Sequence, residues 1–177
     1  AVGKEALSAN TTGANNTAVG AYALDVHTTG QNNTAVGTYA LDAQTTADGN
    51  TAVGYAAGTA LTTGEKNVAM GESALATATT GTYSVAIGVA ALYANTTGSN
   101  NTSLGKSSLE SNTTASHNVA VGVSCMANNT TGAENVAMGN YALDANTTAS
   151  FNVAVGVHAL GACTVGASNV AVGYEAL

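Results

Sequence analysis

Glycine returns every seventeen residues along this chain, at positions 3, 20, 37, 54, 71, 88, 105, 122, 139, 156 and 173, without an insertion or a deletion. A period held that strictly means each unit meets the next in the same way, which is the signature of a stacked array. The other columns of the repeat obey rules of their own. The residue before each Gly is Val, Met, Ile or Leu, and the one before that is Ala, or Ser at Ser103. Three after the Gly stands Ala, with Ser108 and Cys125 as variants, and four after it Leu, with Met126 and Gly58 as variants. Eight and nine after it stand two Thr, broken only at Val165; ten after it Gly or Ala; thirteen after it Asn, or Ser at Ser84. The consensus is N-[TV]-A-[VMIL]-G-x-x-A-L-x-x-x-T-T-[GA]-x-x.

Seventeen residues are too few for two packed helices with turns, since the shortest common helical repeats take about 33. They suffice for one coil of a β-solenoid. N-[TV]-A-[VMIL]-G alternates with period two, as a strand does, and places Val/Thr and Val/Met/Ile/Leu on one face with Ala on the other. The T-T-[GA] and Asn positions supply turns. The A-L stretch reads equally as a second short strand or as a single helical turn. The expected fold is therefore all-β: a repetitive β-roll or β-helix of about ten coils over residues 1–177, with like residues laddered about 4.8 Å apart into a rod of roughly 50 Å. The Gly, Val and Leu columns are expected to carry that fold. On this reading Val121→Asp damages the stack far more than His117→Ser. Both ends, AVGKEAL and AVGYEAL, fall at the same phase, so the chain reads as a window on a longer fibre.

Composition narrows the function. Apolar residues make up 45% of the chain, yet there is one Phe and no Trp, so a thick core is not expected. Coils with so thin a core are expected to bury a side against partner chains. Only 7% of residues are charged, and ten acids against three bases give a net charge of −7. Lys4, Lys66 and Lys106 are the only bases, so no phosphate-neutralising patch exists, which argues against nucleic acid and anionic membrane surfaces. No apolar run reaches the length of a membrane-spanning helix, so membrane insertion by this segment is not expected.

The residues of the repeat, SVAIG at Ser84–Gly88 most clearly, resemble the head repeat of trimeric autotransporter adhesins. The longer form, as in NTAVGTYALDAQTT (Asn33–Thr46), is similar to repeats of tail-fibre-like proteins of bacteria and phages. The resemblance covers the whole chain. It implies a parallel β-roll on a cell or virion surface, self-associated as a homotrimer or end to end. The period is longer than that of the adhesin heads, and no anchor, coiled-coil stalk or self-cleaving chaperone domain is recognisable.

Candidate chemistry is sparse. His27, His117 and His158 share no column, so they form no metal ladder and read as exposed variable positions. Cys125 and Cys163 lie just over two coils apart, too far for a disulfide. Asp25, Asp42 and Asp144 share a column, but that column also holds Ser8, Tyr93 and Gly161, as a solvated face would. No catalytic residue, metal site or cofactor is expected, and the chain is not read as an enzyme. Sequons carry more weight. Candidate N-glycosylation sites are Asn10, Asn15, Asn32, Asn95, Asn100, Asn101, Asn112, Asn128, Asn129 and Asn146. Candidate O-glycosylation sites are the paired threonines Thr11, Thr12, Thr96, Thr97, Thr113, Thr114, Thr147 and Thr148. The expected function is a structural segment of an extracellular fibre or adhesin, a stiff rod displaying polar and glycosylated turns. The alternative is a binding module for carbohydrate, a receptor or ice, which would show one exposed face that keeps its residue types from coil to coil.

Overall fold

The computed structural model describes residues 1–177. Ten strands of three residues recur at the repeat spacing, from β1 (Thr17–Val19) and β2 (Thr34–Val36) to β10 (Val170–Val172), and there is no helix. They form one parallel sheet in sequence order, in unbroken register: Ala18 pairs with Ala35, Ala35 with Ala52, and so on through Ala154 with Ala171. A parallel pair one period apart requires the chain to travel round and return, so each seventeen-residue unit is one coil of a β-solenoid.

The strands understate the stacking. Of 112 backbone hydrogen bonds, 94 lie outside strand pairing. The Leu24 N–H donates to the Ala40 carbonyl at 3.1 Å and the Thr28 N–H to Thr45 at 2.8 Å, one coil on. The A-L stretch is neither helix nor strand. It is two tight turns: the Ala23 N–H donates back to the Gly20 carbonyl and the His27 N–H back to Leu24. Its backbone needs Gly20 at φ +134°, Tyr22 at +59° and Leu24 at +52°. The Gly column is doubly fixed: besides that φ, a Cβ on Gly20 would sit 2.5 Å from the Gly37 carbonyl oxygen.

The strand faces are reversed from the expected arrangement of the core. Ala18, Ala35 and Ala52 point inward and are fully buried, whereas Val19, Val36, Met70 and Met138 are 36–46% exposed. Residues either side of an inward Ala must point outward, because strand side chains alternate. The interior is too narrow for Val. Its apolar part is filled by the two Ala columns and a single ladder of Leu, including Leu24, Leu41, Leu75, Leu92 and Leu109. Val121 is therefore an outer, half-buried residue of the Val119–Val121 strand. Gly58, the gap in the Leu ladder, is filled by Leu61, which is 1% exposed; a Cβ at Gly58 would lie 3.1 Å from that side chain.

Candidate functional surface

Asparagine occupies the interior, against the usual placement of polar residues, because its amide completes the backbone bonding of the stack. In the column thirteen after the Gly, Asn33 Oδ1 accepts from the Asn50 N–H at 2.9 Å, and its Nδ2 donates to the Ala47 carbonyl at 2.8 Å. The same clip recurs at Asn50, Asn67 and Asn118. A second ladder runs seven after the Gly: Asn112 donates to Asn95, Asn129 to Asn112 and Asn146 to Asn129, at 2.8–3.1 Å.

These ladders divide the sequons. Asn95, Asn101, Asn112, Asn129 and Asn146 are fully buried with their amides hydrogen-bonded, and a folded coil has no room for a sugar on any of them. Asn10, Asn15, Asn32, Asn100 and Asn128 are exposed. The paired threonines divide too. The first of each pair, such as Thr96, Thr113 and Thr147, is half-buried and gives its hydroxyl to the carbonyl of its counterpart one coil on. Thr11 bonds likewise but is exposed in the first coil. The second of each pair, Thr12, Thr97, Thr114 and Thr148, is exposed.

The remaining candidates are scattered by the coil. His117 and His158 are exposed, but His27 is fully buried, contrary to its reading as a surface position. It stands in the interior seventh column, and its Nε2 lies 2.9 Å from the Gly30 carbonyl while Nδ1 has no partner. Membership of a column otherwise held by Asn, Gln, Leu61, Ala78 and Cys163, with no charged residue in it, was the signal for that burial. Asp42 accepts the Thr59 hydroxyl at 2.6 Å and Asp25 that of Ser8, so each carboxylate is bonded to a neighbouring coil. Both cysteines are free; burial pushes the Cys125 thiol up to about 12. Two concavities exist. One, at the last coils, is bordered by His158, Gly161, Ala162, Glu175 and Leu177; the other is bordered by only His117 and Glu134. No group of three or more His, Cys, Asp and Glu side chains converges closely enough to share a metal ion.

Two features of the surface were only half legible in the sequence. The columns one and three before the Gly, whose Val, Thr, Met, Ile or Leu character the repeat itself displays, face outward rather than into the core. Also, Thr29, Thr46, Thr63, Thr80 and Thr131 are as exposed as the threonines singled out beside sequons. Their common column was the signal available. Comparison of the chain with protein-family models, with curated proteins and with solved structures finds no match.

Proposed function

We propose that this chain is a structural segment of an extracellular fibre or adhesin, carried on a cell or virion surface and acting as a stiff spacer that displays its turns. The observation that carries this reading is the unbroken register of ten coils, bonded to one another by backbone on several sides. Such a stack resists bending and extension because each coil is held by many short bonds at once. The resemblance of the repeat to adhesin heads and tail fibres points the same way.

A second reading, association through one face, has its own support. The columns flanking the inward Ala form a sheet face with no charged residue at any coil, and its side chains hold their character while the columns one and two after the Gly drift. Exposed apolar faces of this extent mark interaction sites. The occupant favoured here is a second and third copy of the chain, as in a homotrimer; carbohydrate, a receptor or ice are the alternatives.

Native mass spectrometry of material from the natural source, with negative-stain imaging of the same sample, tests both. Rods with a mass of three chains support the self-associated fibre. Rods of single chains with a large, heterogeneous excess mass support a solenoid coated by glycans. A compact monomer of bare polypeptide mass that forms no rod overturns the fibre reading.

A further inference from the structure

The exposed and half-buried columns of the coil differ in how freely they vary. Eleven after the Gly the residue drifts from Ala14 to Gln31, Asp48 and Thr82; twelve after it, from Asn15 to Lys66, Tyr83 and Phe151. Nine after it stands Thr in every coil from Thr12 to Thr148, all exposed. No hydroxyl in this column makes a hydrogen bond within the chain, whereas the adjacent eighth-column threonines spend theirs on the stack, Thr62 on the Thr79 carbonyl at 3.1 Å and Thr130 on Thr147 at 2.9 Å. Two identical residues thus stand side by side in each turn. One is explained by the fold, and the other is retained without any hydrogen bond that its hydroxyl makes to the fold.

We propose that the ninth-column threonines are O-glycosylation sites, one acceptor hydroxyl per coil in a straight row about 4.8 Å apart. The reaction is transfer from an activated sugar whose anomeric carbon carries a phosphate leaving group, nucleotide- or lipid-linked, by a separate transferase. The Thr Oγ1 attacks the anomeric carbon, the bond from that carbon to the phosphate oxygen breaks, and the phosphate departs with the electron pair. The hydroxyl proton passes to a base of the transferase. A free, outward hydroxyl is what such a step requires, and in the eighth column eight of the ten hydroxyls are bonded to the next coil, all but those of Thr45 and Thr164.

Charge decides between a sugar and a phosphoryl group. Phosphates of charge about −1.5 to −2 at this spacing would stand closer than the Debye length of about 8 Å, on a chain already at −7. Neutral sugars carry no such repulsion. They would also hydrate a surface that has thirteen charged side chains, ten acidic and three basic, yet exposes Val36, Met70 and Met138.

The inference rests on the extracellular-rod reading for the compartment in which chain and transferase meet. The test is residue-resolved mass spectrometry of the natural protein, digested at Asp and Glu and fragmented by electron transfer. The expected result is sugar mass on ninth-column threonines of most coils, none on the eighth-column threonines whose hydroxyls are bonded to the next coil, and dehydrated threonine at the sugar-bearing positions after mild alkaline β-elimination. Bare ninth-column threonines, sugar spread equally over both columns, sugar confined to asparagine, or phosphate at these sites each overturn it. Imaging of the same sample separates the two readings. Rods built of bare threonines refute the glycan row alone, and glycosylated chains that form no rods refute the fibre alone.

Discussion

At the scale of the residue, backbone sign explains choices that hydrophobicity does not. Positions two, four and twelve after the Gly have φ between +50° and +64° wherever a side chain is present, the terminal Leu177 excepted. Val, Ile and Thr, common elsewhere in the repeat, occupy none of them. A β-branched side chain in the left-handed region is strongly disfavoured, so these columns keep Leu, Asn, Ser, Tyr and Glu instead. Leu92, at φ +52°, tests the point. Leu92→Met keeps the volume and an unbranched Cβ and is expected to cost under about 1.5 kcal/mol. Leu92→Ile also keeps the volume but adds backbone strain of about 1–3 kcal/mol. Denaturant midpoints for the two variants measure the difference, and equal values would remove the strain argument. Cys125 supplies a pH prediction. Burial raises its thiol from 9.0 to about 12 in the folded chain. Above the unfolded value the unfolded chain sheds this proton and the folded chain keeps it, so stability falls with rising pH, by about 1.4 kcal/mol per unit, until the folded value is reached. Cys125→Ala, which restores the column's usual residue, should be close to neutral at pH 7 and should lose that alkaline limb. Melting curves of both proteins from pH 8 to pH 11 would show it as a widening gap, and parallel curves would refute it.

At the scale of the element, the three-residue strand is where hydrophobic pattern and cross-section compete. In the Val119–Val121 strand the larger residues face out and Ala120 is fully buried. Ala120→Asp is therefore expected to be the damaging change, since an unpaired buried charge costs about 3–5 kcal/mol. Val121→Asp, on an accessible face, is expected to cost about 1 kcal/mol in the isolated chain. Thermal melts monitored by circular dichroism decide this, and a larger loss for Val121→Asp would return the Val column to the core. Sedimentation adds a second readout: if the outer face joins copies of the chain, Val121→Asp lowers the association state while barely moving the monomer's melt. The strands themselves were legible, because alternation beside an invariant Gly permits little else. Their orientation was not, because Val outranks Ala in hydrophobicity while the width of the coil admits only Ala. Buried Asn and His27 were hidden for a related reason: an amide or imidazole that completes a backbone bond belongs inside a coil whatever its polarity. The candidate surface was legible only in part. Sequons such as Asn112 mark a turn correctly, but whether a side chain at that turn faces in or out is set by closure of the coil.

At the scale of the whole molecule, the period is a constraint as well as a description. Every column stands over itself one coil away and each coil is bonded to the next at fixed offsets, so the unit that can be removed without loss is one full turn. Residues 118–134 form such a unit. Their deletion joins His117 to Asn135 and leaves each remaining Gly over a Gly, each Leu over a Leu and each amide ladder continuous. Deleting one residue fewer brings the same coils together one step out of phase. A single-residue slip turns every inward Ala of the strand outward and every outward Val inward, and it sets residues with a Cβ where the Gly column allows none. The full-turn deletion is expected to fold to the same circular dichroism spectrum, with a rod shorter by about 4.8 Å in small-angle scattering. In a linear array its stability should drop only by the contribution of one coil and one interface. The deletion one residue short should break the stack at the junction and appear as two separable transitions or as aggregation. If both deletions folded equally well, the coils would not be coupled column by column, and the stiffness that supports a fibre role would have no structural origin.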